Sequence, residues 1–254
     1  MKQIYAFENK SEYEKYEHDI KMLNAKLKPY KHILIRDFEL KQLPKTVIWT
    51  SSELATSVFS RLPVPAFTNQ DTIYMTPSVD EWRKFYLSQL EGEALPQNED
   101  VQHIKDYFHS ITIDDVFCIL AHELTHHIEL FPDEFEDEHS DSIWFEEGMC
   151  EYLSQKLTLT NEQFLALREN NERLIKLFKP KYGQYGLDQF GTNSYGHKSL
   201  AAIMLNYWRS AAAIHYLVEE RFAGNIGAVF EQYHKWHTDG RKQQLTAFFD
   251  VEQF

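Results

Sequence analysis

Cysteine is scarce: Cys118 and Cys150 are the only two in 254 residues. Two thiols cannot build the multi-bridge framework of a small secreted fold, so they read as small core residues. Positive charge is also short, with 26 Lys and Arg against 39 Asp and Glu and a net charge of -13. Phosphate backbones are gripped by clustered basic side chains, so nucleic acid is not expected as a main partner. No apolar run is long enough to cross a bilayer, and Met1 to Lys10 holds no stretch of signal-peptide length. A cytoplasmic, unprocessed protein without a membrane partner is the expectation. Internal repeats, low-complexity tracts and EF-hand spacing are all missing.

What is present supports a substantial interior, with 43% hydrophobic and 15% aromatic residues. The chain is long enough for one large domain or two small ones. One stretch carries chemistry. Residues 119 to 131, Ile-Leu-Ala-His-Glu-Leu-Thr-His-His-Ile-Glu-Leu-Phe, alternate apolar and polar at helical spacing. Thr112-Ile-Asp-Asp115 offers a cap with acids suited to the N-terminal dipole, and Pro132 is expected to close the helix. His122 and His126 are four positions apart, a rise of about 6 Å and a turn of about 400°. Both imidazoles then share a face and can hold one metal ion. Glu123 is close enough to polarise a metal-bound water but too poorly directed to be a ligand. The apolar neighbours Val116, Phe117, Ile119, Leu120, Ala121, Leu124 and Ile128 half-bury this set. Buried charge asks for a partner or a metal. This is the content of the H-E-x-x-H pattern, and Zn2+ is the expected cofactor.

A catalytic zinc takes three protein ligands and keeps one position open. The stretch Trp144-Phe-Glu-Glu-Gly-Met-Cys-Glu-Tyr-Leu153 offers Glu146 and Glu147. With H-E-x-x-H upstream and Glu147-Gly148 followed by Tyr152, the chain resembles the gluzincin side of the zincin-like metallopeptidases, the peptidase-MA-like group. There the third ligand is a Glu in a pattern close to E-G-x-x-x-Y. The resemblance implies Glu147, which directly precedes the glycine and is separated from His126 by twenty residues. It also gives Glu151, one turn later, the task of holding a zinc histidine by its other ring nitrogen. Gly148 costs a helix about 1 kcal/mol, and close approach to the His122–His126 helix is the expected return. A tyrosine opening a helix such as Tyr207 to Leu217 recurs in the group. It implies Tyr207 as donor to the reaction's oxyanion, with Tyr195 and His197 as alternates. Tyr207 also stands on an apolar stripe with Leu200, Met204, Ala211 and Val218, in a helix expected over residues 197 to 222. A core tyrosine bonded to the backbone is therefore the competing reading.

The implied activity is hydrolysis of a peptide or protein through a zinc-bound water with Glu123 as general base. No G-x-M-E-N signature is present, so nothing points to N-terminal trimming rather than internal cleavage. Two alternatives differ in class: a catalytically silent zincin-fold binding or regulatory protein, and a zinc hydrolase of non-peptide substrates.

The expected fold is α+β and zincin-like, with a small mixed N-terminal sheet over 1 to 111 and a mostly helical part over 112 to 254. Residues 9 to 28 suit a helix, ended by Pro29. Residues 32 to 35, 46 to 50 and 72 to 76 suit short strands. Residues 61 to 67 are extended by their prolines, and 69 to 71 form a turn. By the resemblance, the 72 to 76 strand is expected at the sheet edge, where it lines the cleft and pairs with substrate. Helices broken by a loop over 92 to 100 follow. The acidic run over 129 to 141 suits a solvated loop or a rim that selects basic substrates. Beyond residue 155 only helices are expected, with a long loop over 182 to 196.

Overall fold

A 28-residue helix, α1 (Lys10–Asp37), dominates the N-terminal part. The computed structural model describes residues 1–60, 64–133, 141–193 and 199–254, with backbone alone at 192 and 193. The architecture is α+β. Met1–Glu129 with Leu153–Phe164 forms one compact unit, and Leu130–Tyr152 with Leu165–Phe254 forms a second.

In the first unit, β1 (Lys2–Ala6) leads into α1, whose first turn is capped by the Asn9 side chain accepting from the Glu12 N–H. Tyr16, Ile20, Leu23, Leu27, Tyr30 and Leu34 form one continuous buried stripe. That stripe passes straight through Pro29, so residues 32 to 35 are helical and not a strand. The missing proline N–H removes one bond of the ladder. The stripe on both sides of it outweighs the loss: Leu34 is buried while its neighbour Ile35 is exposed.

β2 (Thr46–Thr50), the short helix α2 (Ser52–Leu54), a π-helical turn (Ala55–Phe59), β3 (Ala66–Thr68) and β4 (Thr72–Met75) follow. The sheet is mixed, in the order β1-β2-β4-β3, with only the β3–β4 pair antiparallel. Val47, Trp49, Ile73 and Met75 bury one face. The strand over 72 to 76 is therefore interior, contrary to the expectation of an edge. The Asn69 side chain accepts from the Thr72 N–H at 3.1 Å, and this turn folds β3 back outside β4. The edges are β1 and β3. β1 escaped the sequence because Ile4 and Tyr5 are both exposed, which erases the alternation that marks a half-buried strand. Helices α3 (Val79–Ser88), α4 (Glu99–Ser110) and α5 (Ile113–Thr125) complete the front of this unit.

Helix α6 (Ile143–Thr158) starts in the second unit, and α7 (Asn161–Tyr182) continues into it. The expected loop after α7 instead folds into a 3-10 turn (Leu187–Gln189) and a short helix, α8 (Phe190–Asn193). Leu187 and Phe190 are buried there, which orders a segment whose composition suggests a loop. α9 (Leu200–His215) runs on into a π-helical turn (Tyr216–Arg221), then α10 (Ile226–Thr238) and α11 (Leu245–Phe249). Phe145 stacks on Tyr233 at 4.0 Å and on Phe249 at 5.6 Å. Buried Asp188 accepts from Trp144 Nε1 and from the Thr246 N–H, each at 3.1 Å, and from the Thr246 hydroxyl. This fixes the first turn of α6 against α11. Cys118 and Cys150 are buried as thiols. Among the described residues, no helix is long and apolar enough to cross a membrane.

Candidate metal centre

Helix α5 begins in a capping box. Thr112 Oγ1 accepts from the Asp114 N–H, and the Asp115 carboxylate accepts from the Thr112 N–H at 2.8 Å. The helix stops at Thr125, short of Pro132. The next N–H groups reach back three residues, His127 to Leu124 O and Ile128 to Thr125 O, and Glu129 N–H turns to Glu39 O. The Thr125 hydroxyl donates to Ala121 O at 2.8 Å and lies 2.6 Å from the Tyr30 hydroxyl of α1. The last turn is thus tightened and bolted to α1.

His126 is the C-cap and keeps right-handed helical backbone angles. It therefore stays one turn beyond His122, and the two Nε2 atoms are 3.1 Å apart. Ring nitrogens this close either share one proton or face a cation. His122 and Glu123 are each 7% exposed. The next histidine, His127, turns away to the sheet, with Nε2 2.8 Å from Thr68 Oγ1 of β3. Burial, and secondarily the charge of His126, lowers its pKa to about 4, so it is neutral at physiological pH.

Helix α6 carries the acidic candidates. One donor atom each from His122, His126 and Glu147 lies within 4.8 Å of the others. Ligands about 2.1 Å from a shared tetrahedral ion are about 3.4 Å apart, so the set would close by up to about 1.4 Å on binding one. A two-nitrogen, one-oxygen set suits Zn2+. Glu146 is not in the group; its charge helps raise the pKa of the Tyr233 hydroxyl, which burial raises most. Glu151 is half-buried, one turn beyond Glu147. Tyr152 donates to Glu219 Oε1 at 2.7 Å, its pKa raised by burial first and by that carboxylate second.

The close approach at Gly148 is to α9. A Cβ on it would stand 2.6 Å from Ser210 O and 2.7 Å from Ile214 Cγ1, both on α9. Tyr207 is half-buried, on the face of α9 that also carries buried Ile203, Ser210 and Ile214. Its hydroxyl donates to Glu147 Oε1 at 3.3 Å, and Phe190 meets its ring edge-on at 5.0 Å. The sequence reading missed Tyr30, Thr125 and Thr68 as supports of this helix end. Thr125 was in plain view inside the motif, but its partner is 95 residues away. Tyr195 and His197 lie outside the described residues, as do residues 134 to 140 of the acidic run and 61 to 63 of the proline-containing segment. Asp133 and Asp141 both bind Arg241. No protein-family model, curated protein or solved structure matches the chain.

Proposed function

We propose that the chain is a zinc-dependent metallopeptidase of the gluzincin, zincin-like kind, cutting peptide bonds within chains. The observation that carries this reading is the convergence of donor atoms from His122, His126 and Glu147 within 4.8 Å. These three residues would hold the ion. Zinc in such a set supplies a Lewis acid that polarises a carbonyl and makes water acidic near neutral pH. Glu123 acts as the general base: it takes a proton from the attacking water and passes it to the leaving amine. Glu123 is 7% exposed and directly follows His122. A silent metal-binding scaffold has no use for it, which favours the enzyme over the binding protein. A small mixed sheet ahead of the histidine helix, with the acidic ligand on a later helix, also suits the zincin-like order.

Metal analysis of protein purified without chelator tests the site, with one zinc per chain expected. Glu147→Ala and His126→Ala should release it and Glu146→Ala should keep it. Absence of metal from the wild type would overturn the reading. Loss in Glu146→Ala with retention in Glu147→Ala would move the ligand.

A further inference from the structure

The reading of Tyr207 as an oxyanion donor leaves its observed partner unused. Its hydroxyl donates to Glu147 Oε1, the carboxylate assigned above to the metal. The contact depends on how closely α9 lies against α6. Tyr207, Ser210 and Ile214 are spaced i, i+3, i+7, on one face of α9. Gly148, next to the ligand, has no side chain where Ser210 O and Ile214 Cγ1 would meet a Cβ at under 3 Å. The glycine therefore lets the α9 backbone come close enough for Tyr207, one turn before Ser210, to reach Glu147. Phe190, edge-on to the ring, limits where the phenol can point.

We infer that Tyr207 is a positioning residue for Glu147: its hydroxyl holds one carboxylate oxygen and so orients the other toward the histidines, with Gly148 as the spacer that sets the reach. The inference rests on the metal reading above. A ligating carboxylate swings about its last torsion, and a donor on one oxygen removes that freedom before the metal arrives. The bond is 3.3 Å, longer than the usual ~2.7 Å for O–H···O. The effect is accordingly placed at the lower end of the tenfold to hundredfold range for groups that hold metal ligands.

The test is the dissociation constant for Zn2+, measured by competition with a chromophoric chelator on metal-free protein, in a double-mutant cycle. Tyr207→Phe keeps the ring and removes the hydroxyl. It should weaken zinc about tenfold with the melting temperature of the metal-free protein little changed. In the Glu147→Ala background the same change should leave the much weaker residual affinity of the two histidines unaltered, because the group it positions is gone. Unchanged affinity in Tyr207→Phe overturns the inference; a kcat lowered 10²–10³-fold at full zinc loading then returns Tyr207 to the oxyanion. An equal loss in both backgrounds overturns it too, as a general structural effect. A wild type that takes up no zinc overturns the metal reading and this inference together, whereas zinc binding indifferent to the hydroxyl overturns this one alone.

Discussion

Glu151 stands one turn beyond Glu147 on α6, half-buried. If it steadies a zinc histidine, Glu151→Ala should cost tenfold to hundredfold in zinc affinity, about 1.4 to 2.8 kcal/mol, far less than loss of a ligand. The same chelator competition reads this; affinity equal to wild type would leave Glu151 as a surface acid. At this scale the His122, His126 and Glu147 cluster was legible. His122 and His126 follow from the helical period alone, because a spacing of four becomes a shared face. The choice between Glu146 and Glu147 came from the family pattern rather than from geometry. The partner of Tyr207 could not be read, since Glu147 is 60 residues away and sequence periodicity says which face a residue occupies, not what it meets.

Between elements, the close contact of α6 and α9 at Gly148 makes a direct prediction. Alanine is the better helix former by about 1 kcal/mol. Its methyl, however, would press on the Ser210 backbone, which cannot rotate away. Gly148→Ala should therefore destabilise by about 1–3 kcal/mol, seen as a lower urea midpoint. A gain in stability would contradict the packing described. A second bolt joins α1 to α5 through Tyr30 and Thr125. Thr125→Val removes this hydrogen bond and should cost about 0.5–1.5 kcal/mol in the same assay; a neutral result would remove the bolt from the account. Helices with side-chain caps, such as the one opened by Thr112, were readable locally. The strand order was not. Whether 72 to 76 lies inside or at the edge depends on which way the chain turns at Asn69, and β1 lacks the alternation that reports a buried face. Pro29 misled because a local breaker was outweighed by a buried stripe on both sides of it.

For the whole molecule, the metal reading ties ion binding to stability. An ion that binds only the folded chain stabilises it by about 2.7 kcal/mol at a free concentration 100 times its dissociation constant. Zinc should raise the melting temperature of the wild type and leave that of Glu147→Ala nearly unmoved. A similar rise in both would place the stabilising ion elsewhere. Net charge of -13 belongs to the same scale and, on the peptidase reading, would favour encounter with basic peptides. The central claim, that Glu123 beside the His122–His126–Glu147 set makes this a peptidase, is tested most directly by one comparison. Wild type and Glu123→Gln, both shown to carry equal zinc, are given a mixed peptide library and the new termini are counted. The account predicts internal cleavage by the wild type and a loss of about 10²-fold or more in the variant, since Gln keeps the shape and removes the base. Equal cleavage by both, or none by the zinc-loaded wild type, would contradict it.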